Sequence, residues 1–215
     1  MRFSIARFQS TLGGNAMIQQ KFRDSMARMG SQAMILTSAD ENTVPHTLFR
    51  GVTLSSVSSL SLKPQPLLQF NLQLPSFTSE ALHLREYFAI HLLKPDATSM
   101  ALARTFSKGA MKHQESGEII PTQPFKDLDD TVHYDTYSLK HSRLVVPILT
   151  NSERVFICKK KDVFKVGDHE IWVGKVKDII EGSDIGTEIT GGLLYCNRKF
   201  HKLGSGIEWT DKLGE

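Results

Sequence analysis

Gly51-Val52-Thr53-Leu54-Ser55-Ser56-Val57-Ser58-Ser59-Leu60-Ser61-Leu62-Lys63-Pro64-Gln65-Pro66-Leu67 places six hydroxyls, on Thr53, Ser55, Ser56, Ser58, Ser59 and Ser61, in a β-prone stretch studded with apolar residues. Short hydroxyls and the amides of extended backbone can hold a phosphate or a polyhydroxylated chain through neutral hydrogen bonds. Pro64 and Pro66 cannot donate to a ladder, so the extended run stops there. Composition alone describes a Ser-rich edge strand and its turn equally well, and the order of the residues has to decide between the two.

Outward from this stretch, period-two patterns dominate. Leu67 to Leu74 alternates, with Phe70, Leu72 and Leu74 on one face, as a half-buried strand does. Ala33 to Ala39 and Val44 to Arg50 flank the polar tetrad Asp40-Glu41-Asn42-Thr43, which reads as a hairpin loop. Tyr87 to Leu93, Arg143 to Leu149, Arg154 to Lys165 and Glu170 to Ile180 supply further strands, the last two joined by a turn at Val166 to His169. Three helical patterns interrupt them. Ile18, Phe22, Met26 and Met29 recur at helical spacing before Gly30, and this helix is expected to plug one end of a barrel. Ser76 and Thr78 open a helix over Glu80 to Glu86, where they act as caps and where a helix N-terminus also favours an anion. Asp96 to Phe106 forms the third, using Met100, Leu102, Ala103 and Phe106. From Ser107 to Asp135 the chain turns polar and irregular, which suggests a lid, a substrate loop or an insertion.

At 215 residues and 40% hydrophobic, one domain with a sizeable core is expected. No apolar run reaches the roughly 20 residues that span a bilayer. Charge is unevenly spread. The first 23 residues carry Arg2, Arg7, Lys21 and Arg23 and no acid, whereas the rest of the chain is one charge negative, giving +3 in all. The opening Met-Arg-Phe-Ser-Ile-Ala-Arg-Phe-Gln-Ser-Thr lacks a long apolar core and a small-residue cleavage site, so residues 1–16 read as a mitochondrial transit peptide or a tail, ahead of one domain over 17–215. The near-neutral body lacks basic stripes interleaved with aromatics, which argues against nucleic acid as partner. Lys159-Lys160-Lys161 reads as a solvated strand end or turn. Cys158 and Cys196 sit in apolar strand contexts and are expected as buried thiols; with no CxxC or Cys/His cluster, no metal site is expected.

The order Thr-x-Ser-Ser-x-x-Ser-x-Ser ahead of a proline pair resembles the flavin-binding segment of the flavin reductase-like family. Two further elements fall in matching order. Gly167-Asp168-His169 with Ile171, Val173, Gly174 and Val176 resembles its G-D-H-x-hydrophobic-x-x-G-x-V element, and Gly192-Leu193-Leu194-Tyr195 with Arg198 and Phe200 resembles its C-terminal strand. The resemblance spans Phe22 to Leu203 and implies a mainly β fold with a few helices, a Greek-key split β-barrel of the FMN-binding split-barrel type. It further implies a homodimer that binds FMN, or FAD in its place, and reduces it with NAD(P)H; with the transit-peptide reading of the N-terminus, the expectation is a fungal-type mitochondrial member located in the matrix. The family pattern assigns Thr53, Ser55, Ser56, Ser76 and Thr78 to the flavin phosphate and ribityl groups, backbone contacts to Ser61 and Leu62, and the nicotinamide side to His169. Turn chemistry gives His169 another role, capping its own turn with Asp168.

A flavin performs the redox step itself, so no acid, base or nucleophile triad is required, and none is visible. No G-x-G-x-x-G marks a separate dinucleotide domain. Two departures from the family pattern favour an alternative, a split barrel acting as a non-catalytic scaffold or assembly factor. Gln65 separates the usual proline pair, and Ser55 stands where asparagine is common.

Overall fold

The computed structural model describes residues 14–41, 49–112, 119–182 and 189–206. Most of the expected presequence, and residues 44–48 of the strand expected over Val44 to Arg50, therefore lie outside the described residues. In chain order the elements are α1 (Gly14–Met26), β1 (Ser31–Gln32), β2 (Met34–Ser38), β3 (Asp40–Glu41), β4 (Gly51–Leu54), β5 (Ser58–Ser61), β6 (Leu67–Gln73), α2 (Phe77–Arg85), β7 (Tyr87–Leu93), α3 (Ala97–Phe106), β8 (Met111–Lys112), β9 (Ile119–Ile120), β10 (Tyr134–Ser138), β11 (Leu144–Leu149), β12 (Ser152–Val166), β13 (His169–Glu181), β14 (Leu194–Cys196) and β15 (Lys199–His201). The fold is mainly β, as expected.

The hydroxyl-rich stretch is two strands rather than one. Seven antiparallel strands run in the order β4-β2-β7-β12-β13-β6-β5, so β4 and β5 stand at opposite edges although only residues 55–57 connect them. Four Cα steps, from Leu54 to Ser58, cover at most roughly 14 Å. A flat sheet would hold these edges about 29 Å apart at about 4.8 Å per strand. The connection is possible only because the sheet curls until its edges approach, which makes the split barrel. Ser56 spans the gap, its Oγ accepting from the Asn71 amide of β6 at 2.9 Å.

The barrel interior is filled by Met34, Leu36, Leu54, Leu68, Phe70, Leu72, Phe88, Ile90, Cys158 and Trp172. Phe70 stacks on Trp172 with centroids 6.2 Å apart and meets Phe88 edge-on at 5.4 Å. Burial pushes the Cys158 thiol well above its ordinary pKa. The helix that contributes to this interior is α2, through Leu82, which is fully buried. α1 does not plug the barrel: it buries no residue, and Ile18, Phe22 and Met26 stay 63%, 65% and 45% exposed. Helical spacing marks an apolar stripe on α1, but among the described residues it stays exposed.

The outer face of the same sheet packs under α3 and under a second sheet, β10-β11-β3. This two-sided covering explains why β2 is buried at every position, with Met34 and Leu36 facing the barrel and Ile35 facing α3. A third sheet, β1-β14-β15, borders α3. The irregular stretch after α3 is not simply a lid. Phe125 is 2% exposed and makes edge-on contacts with Phe49, Phe106 and Tyr134 at 5.6, 5.2 and 5.1 Å, so this part belongs to the core. Asp40 and Glu41, expected in a loop, pair instead with β11. Lys159, Lys160 and Lys161 lie within β12, where Lys159 and Lys160 pair with Glu86. Cys196 is partly exposed, not buried. Among the described residues no helix is long and apolar enough to cross a membrane.

Candidate functional site

Of the residues singled out in the sequence, Thr53, Ser55, Ser76 and Thr78 line open clefts, of which there are three to describe. The first, of about 340 Å³, lies between β4, α3 and the β14–β15 hairpin and includes Thr53 and Ser55. The Thr53 hydroxyl donates to the Ala103 carbonyl of α3 at 2.6 Å, so it can meet a ligand only as an acceptor. Ser55 is exposed at the end of β4. Two arginines complete this cleft, Arg104 from α3 and Arg198 from the hairpin turn, beside Ser107, Tyr195 and Phe200.

The second cleft, of about 390 Å³, is lined by Phe106 and holds Arg50, Ser76 and Thr78. Its far wall is the turn after β6, Leu74-Pro75-Ser76, which leads into α2. Ser76 is the N-cap of that helix, its Oγ accepting from the Ser79 amide at 3.1 Å. The cap satisfies one of the orphan amides of the first turn and leaves the positive end of the helix beside the cleft. Arg50 is half-buried; its guanidinium donates to the Thr122 carbonyl at 3.4 Å, and no carboxylate pairs with it among the described residues. Arg50 escaped the sequence reading, although it directly precedes the hydroxyl stretch. A lone arginine carries no motif, and only the fold reveals which hydroxyls it joins.

The third cleft, of about 430 Å³, shares Leu74, Pro75 and Ser76 with the second and adds His83, Lys165, Gly167, Asp168 and Glu170. Pairing of β13 with β6 sets His169 opposite Gln73, and the Leu74 amide donates to the Asp168 carbonyl at 2.8 Å. The Gly-Asp-His element and the Ser76 turn, distant in sequence, thus become neighbours. His169 Nδ1 lies 2.8 Å from Asp168 Oδ1, which places a proton on Nδ1 and, in the neutral ring, leaves Nε2 as an acceptor. The His169 bond, ahead of smaller contributions that include one from Gln73, holds the Asp168 carboxyl below its usual range.

Beside it, Glu170 accepts from Trp172 Nε1 at 3.1 Å and from the Ser79 hydroxyl, and it lies 3.1 Å from His83 Nε2. Burial raises the Glu170 pKa, but these partners together outweigh burial and hold it lowered. This ionised carboxylate ties α2 to β13 and so fixes the Ser76 turn relative to His169.

Ser56, Ser61, Leu62 and His169 do not line any of these clefts; His169 only flanks the third, beside Asp168 and Glu170. Ser56 closes the barrel seam, the Ser61 hydroxyl donates to the Lys63 carbonyl at 2.9 Å, and Leu62 is 74% exposed. No carboxylate lines the first or second cleft, and both present guanidinium, hydroxyl and amide groups. Such a donor set suits phosphate or another anion rather than a metal ion. Among the described residues no group of His, Cys, Asp and Glu is placed to hold a metal.

Comparison with known proteins agrees with this architecture. The family described as the flavin reductase like domain matches residues 26–204. An NADH:riboflavin 5'-phosphate oxidoreductase of Streptomyces pristinaespiralis is 29% identical over 182 residues, covering 85% of this chain and 86% of that protein. Among solved structures, the flavin reductase HpaC complexed with NADP+ aligns with a TM-score of 0.62 at 24% identity over 86% of this chain and 97% of that one. A nitrilotriacetate monooxygenase component B homologue from Mycobacterium thermoresistibile aligns with a TM-score of 0.65 at 20% identity, covering 94% and 98% of the two chains. At these identities the structural likenesses establish the fold.

Proposed function

Because the chain belongs to the flavin reductase like domain family, we propose that it reduces FMN with NAD(P)H by hydride transfer. The observation that carries this is the second cleft, where Arg50, the Ser76 turn and Thr78 converge on a space without carboxylates, next to the turn that bears His169. The name of the Streptomyces relative, which specifies riboflavin 5'-phosphate, points to the same ligand. When bound, the flavin supplies the two-electron chemistry, taking a hydride from the nicotinamide and a proton from solvent. The residues of this chain bind and orient. The Arg50 guanidinium and the Thr78 hydroxyl donate to the phosphate, while the N-terminus of α2 adds its dipole. Ser55 hydrogen-bonds the ribityl chain, and Thr53 accepts from it.

His169, steadied by Asp168, offers Nε2 as an acceptor to the amide of the nicotinamide carboxamide. As a homodimer the protein would cover the exposed stripe of α1, and the basic N-terminal stretch would direct it to mitochondria.

The test is visible absorbance of the full-length protein with FMN, followed by anaerobic addition of NADH or NADPH. Bleaching of a protein-bound flavin band by either nucleotide is expected. A bound flavin that neither nucleotide bleaches would overturn the reductase and leave a flavin-binding scaffold. Arg50→Ala is expected to weaken FMN at least tenfold while leaving riboflavin, which lacks the phosphate, within twofold.

A further inference from the structure

Asp168 and Glu170, the two neighbours of His169, hold the two ends of one segment, Leu74 to Ser79. At its start the Leu74 amide donates to the Asp168 carbonyl at 2.8 Å, and at its end the Ser79 hydroxyl donates to the Glu170 carboxylate. Ser79 carries this hold one step further, because its own amide donates to Oγ of the Ser76 cap at 3.1 Å. Glu170 thereby reaches Ser76 through a single residue, although Ser76 lines the second cleft and Glu170 does not. The carboxylate is itself fixed. The fully buried Trp172 donates to the same oxygen at 3.1 Å, and His83, one turn beyond Ser79 on α2, places Nε2 3.1 Å from the other oxygen. Only 13% of the Glu170 side chain is exposed, so these bonds act where water screens them poorly. Leu82 already holds α2 against the barrel, but an apolar contact has no direction and leaves the helix free to rotate or slide. Hydrogen bonds do have direction, and those of Glu170 fix where the first turn of α2 points.

We propose that Glu170 is a positioning residue for phosphate recognition: through Ser79 it holds the Ser76 turn and Thr78 in the arrangement that meets Arg50 in the second cleft. The proposal rests on the assignment of the flavin phosphate to that cleft. Glu170 touches no part of the ligand, and the Gly-Asp-His element that precedes it leaves its position open. Its charge works against its geometry. A carboxylate beside the first turn of a helix opposes an anion at that end, so removing the charge alone would tighten phosphate binding, whereas removing the hold loosens it. The sign of the effect therefore tells the two roles apart.

Fluorescence titration of the flavin-free, full-length protein with FMN and with riboflavin tests this in the parent, Glu170→Ala, Glu170→Gln and Ser79→Ala, alongside a melting temperature for each. The two ligands differ only by the phosphate, so the ratio of their affinities cancels a general loosening of the fold. Glu170→Ala and Ser79→Ala are each expected to lose about tenfold for FMN while riboflavin stays within about twofold of the parent. Glu170→Gln keeps an oxygen that accepts from Ser79 and Trp172, and should stay within about threefold of the parent for both ligands. A preference for FMN that all three variants retain overturns the proposal, whatever the melting temperatures, and leaves the second cleft as the phosphate site. FMN bound more tightly by both Glu170 variants also overturns it, since the carboxylate then acts by charge; so does a Glu170→Gln protein as weak as Glu170→Ala. Where Glu170→Ala does not fold, Ser79→Ala, which removes one hydrogen bond, decides in its place. A parent that binds riboflavin as tightly as FMN overturns the phosphate assignment of the second cleft and the role of Glu170 with it.

Discussion

His91 is fully buried on β7, with both ring nitrogens used to join strands of two sheets. Nε2 accepts from the Leu149 amide of β11 at 3.1 Å, so the proton lies on Nδ1, which donates to the Ile35 carbonyl of β2 at 2.9 Å. Burial, opposed by the Ile35 hydrogen bond, lowers its pKa to about 4. A protonated ring would turn Nε2 into a donor facing a donor. The unfolded chain, in which the imidazole keeps a pKa of 6.5, binds the proton more tightly. Stability from this residue is therefore complete above pH 6.5 and lost as pH falls towards 4. Between pH 7 and pH 5 the loss is about 2 kcal/mol by linkage. His91→Phe should lower stability at pH 7 by at least about 2 kcal/mol, because it leaves a buried carbonyl and a buried amide unpaired. It should also flatten this part of the pH dependence. Urea unfolding of parent and variant at pH 7 and pH 5 checks both; equal slopes in the two proteins would contradict the assignment.

At the scale of elements, β4 and α3 approach so closely that only glycine fits between them. A Cβ on Gly51 would stand 2.7 Å from the Leu36 carbonyl oxygen and 2.7 Å from the Phe106 ring, neither of which can swing clear. Gly51→Ala should cost about 1–3 kcal/mol through overpacking. The strain falls on the lining of the second cleft, to which Gly51 and Phe106 both belong, so ligand affinity should weaken along with thermal stability; a melting temperature unchanged within error would show that the contact is looser than the geometry states. Elements with a strong local signal were legible in the sequence. Tyr87 to Leu93 matches β7 residue for residue, and Asp96 marks the start of α3 because its carboxylate accepts from the Ser99 amide at 2.7 Å. Elements defined by a partner were not legible. Period two cannot tell whether Gly51 to Ser61 is one strand or two, since the partners that divide it, β2 and β6, lie elsewhere in the chain. Nor can helical spacing tell a stripe that is covered from one that is not, as on α1. The clefts show the same division: the predicted hydroxyls lie in two readable stretches, Thr53 with Ser55 and Ser76 with Thr78, whereas Arg50, Arg104 and Arg198 join them only through strand pairing and helix packing.

For the whole molecule, the curled sheet makes two cores of one wall, and the irregular stretch after α3 belongs to the outer one. Polar composition with Gly109, Gly117, Pro121 and Pro124 reads as a loop, but composition averages over a few residues that decide its fate. Phe125 is one of them. It sits between Phe49, Phe106 and Tyr134, joining the segment before β4, the end of α3 and the start of β10. Edge-on rings at these distances add to the burial of a large apolar side chain. If the stretch were a detached lid, truncating Phe125 would change global stability by less than about 0.5 kcal/mol, as at a surface site. Its packing predicts instead a loss of about 3–5 kcal/mol for Phe125→Ala, the range for phenylalanine truncation in a well-filled core. The loss should appear as one cooperative transition at lower denaturant with an unchanged slope, because the residue joins elements rather than closing over them. Chemical denaturation followed by both tryptophan fluorescence and far-ultraviolet circular dichroism distinguishes the cases. With Trp209→Phe made in both proteins so that Trp172 is the one tryptophan, the fluorescence reports from the barrel interior on the other side of the sheet, and a shift seen by both probes at the same midpoint means that the two cores unfold together. A midpoint that shifts for one probe alone would mean that the outer core, with the cleft walls it supports, is a separate unit.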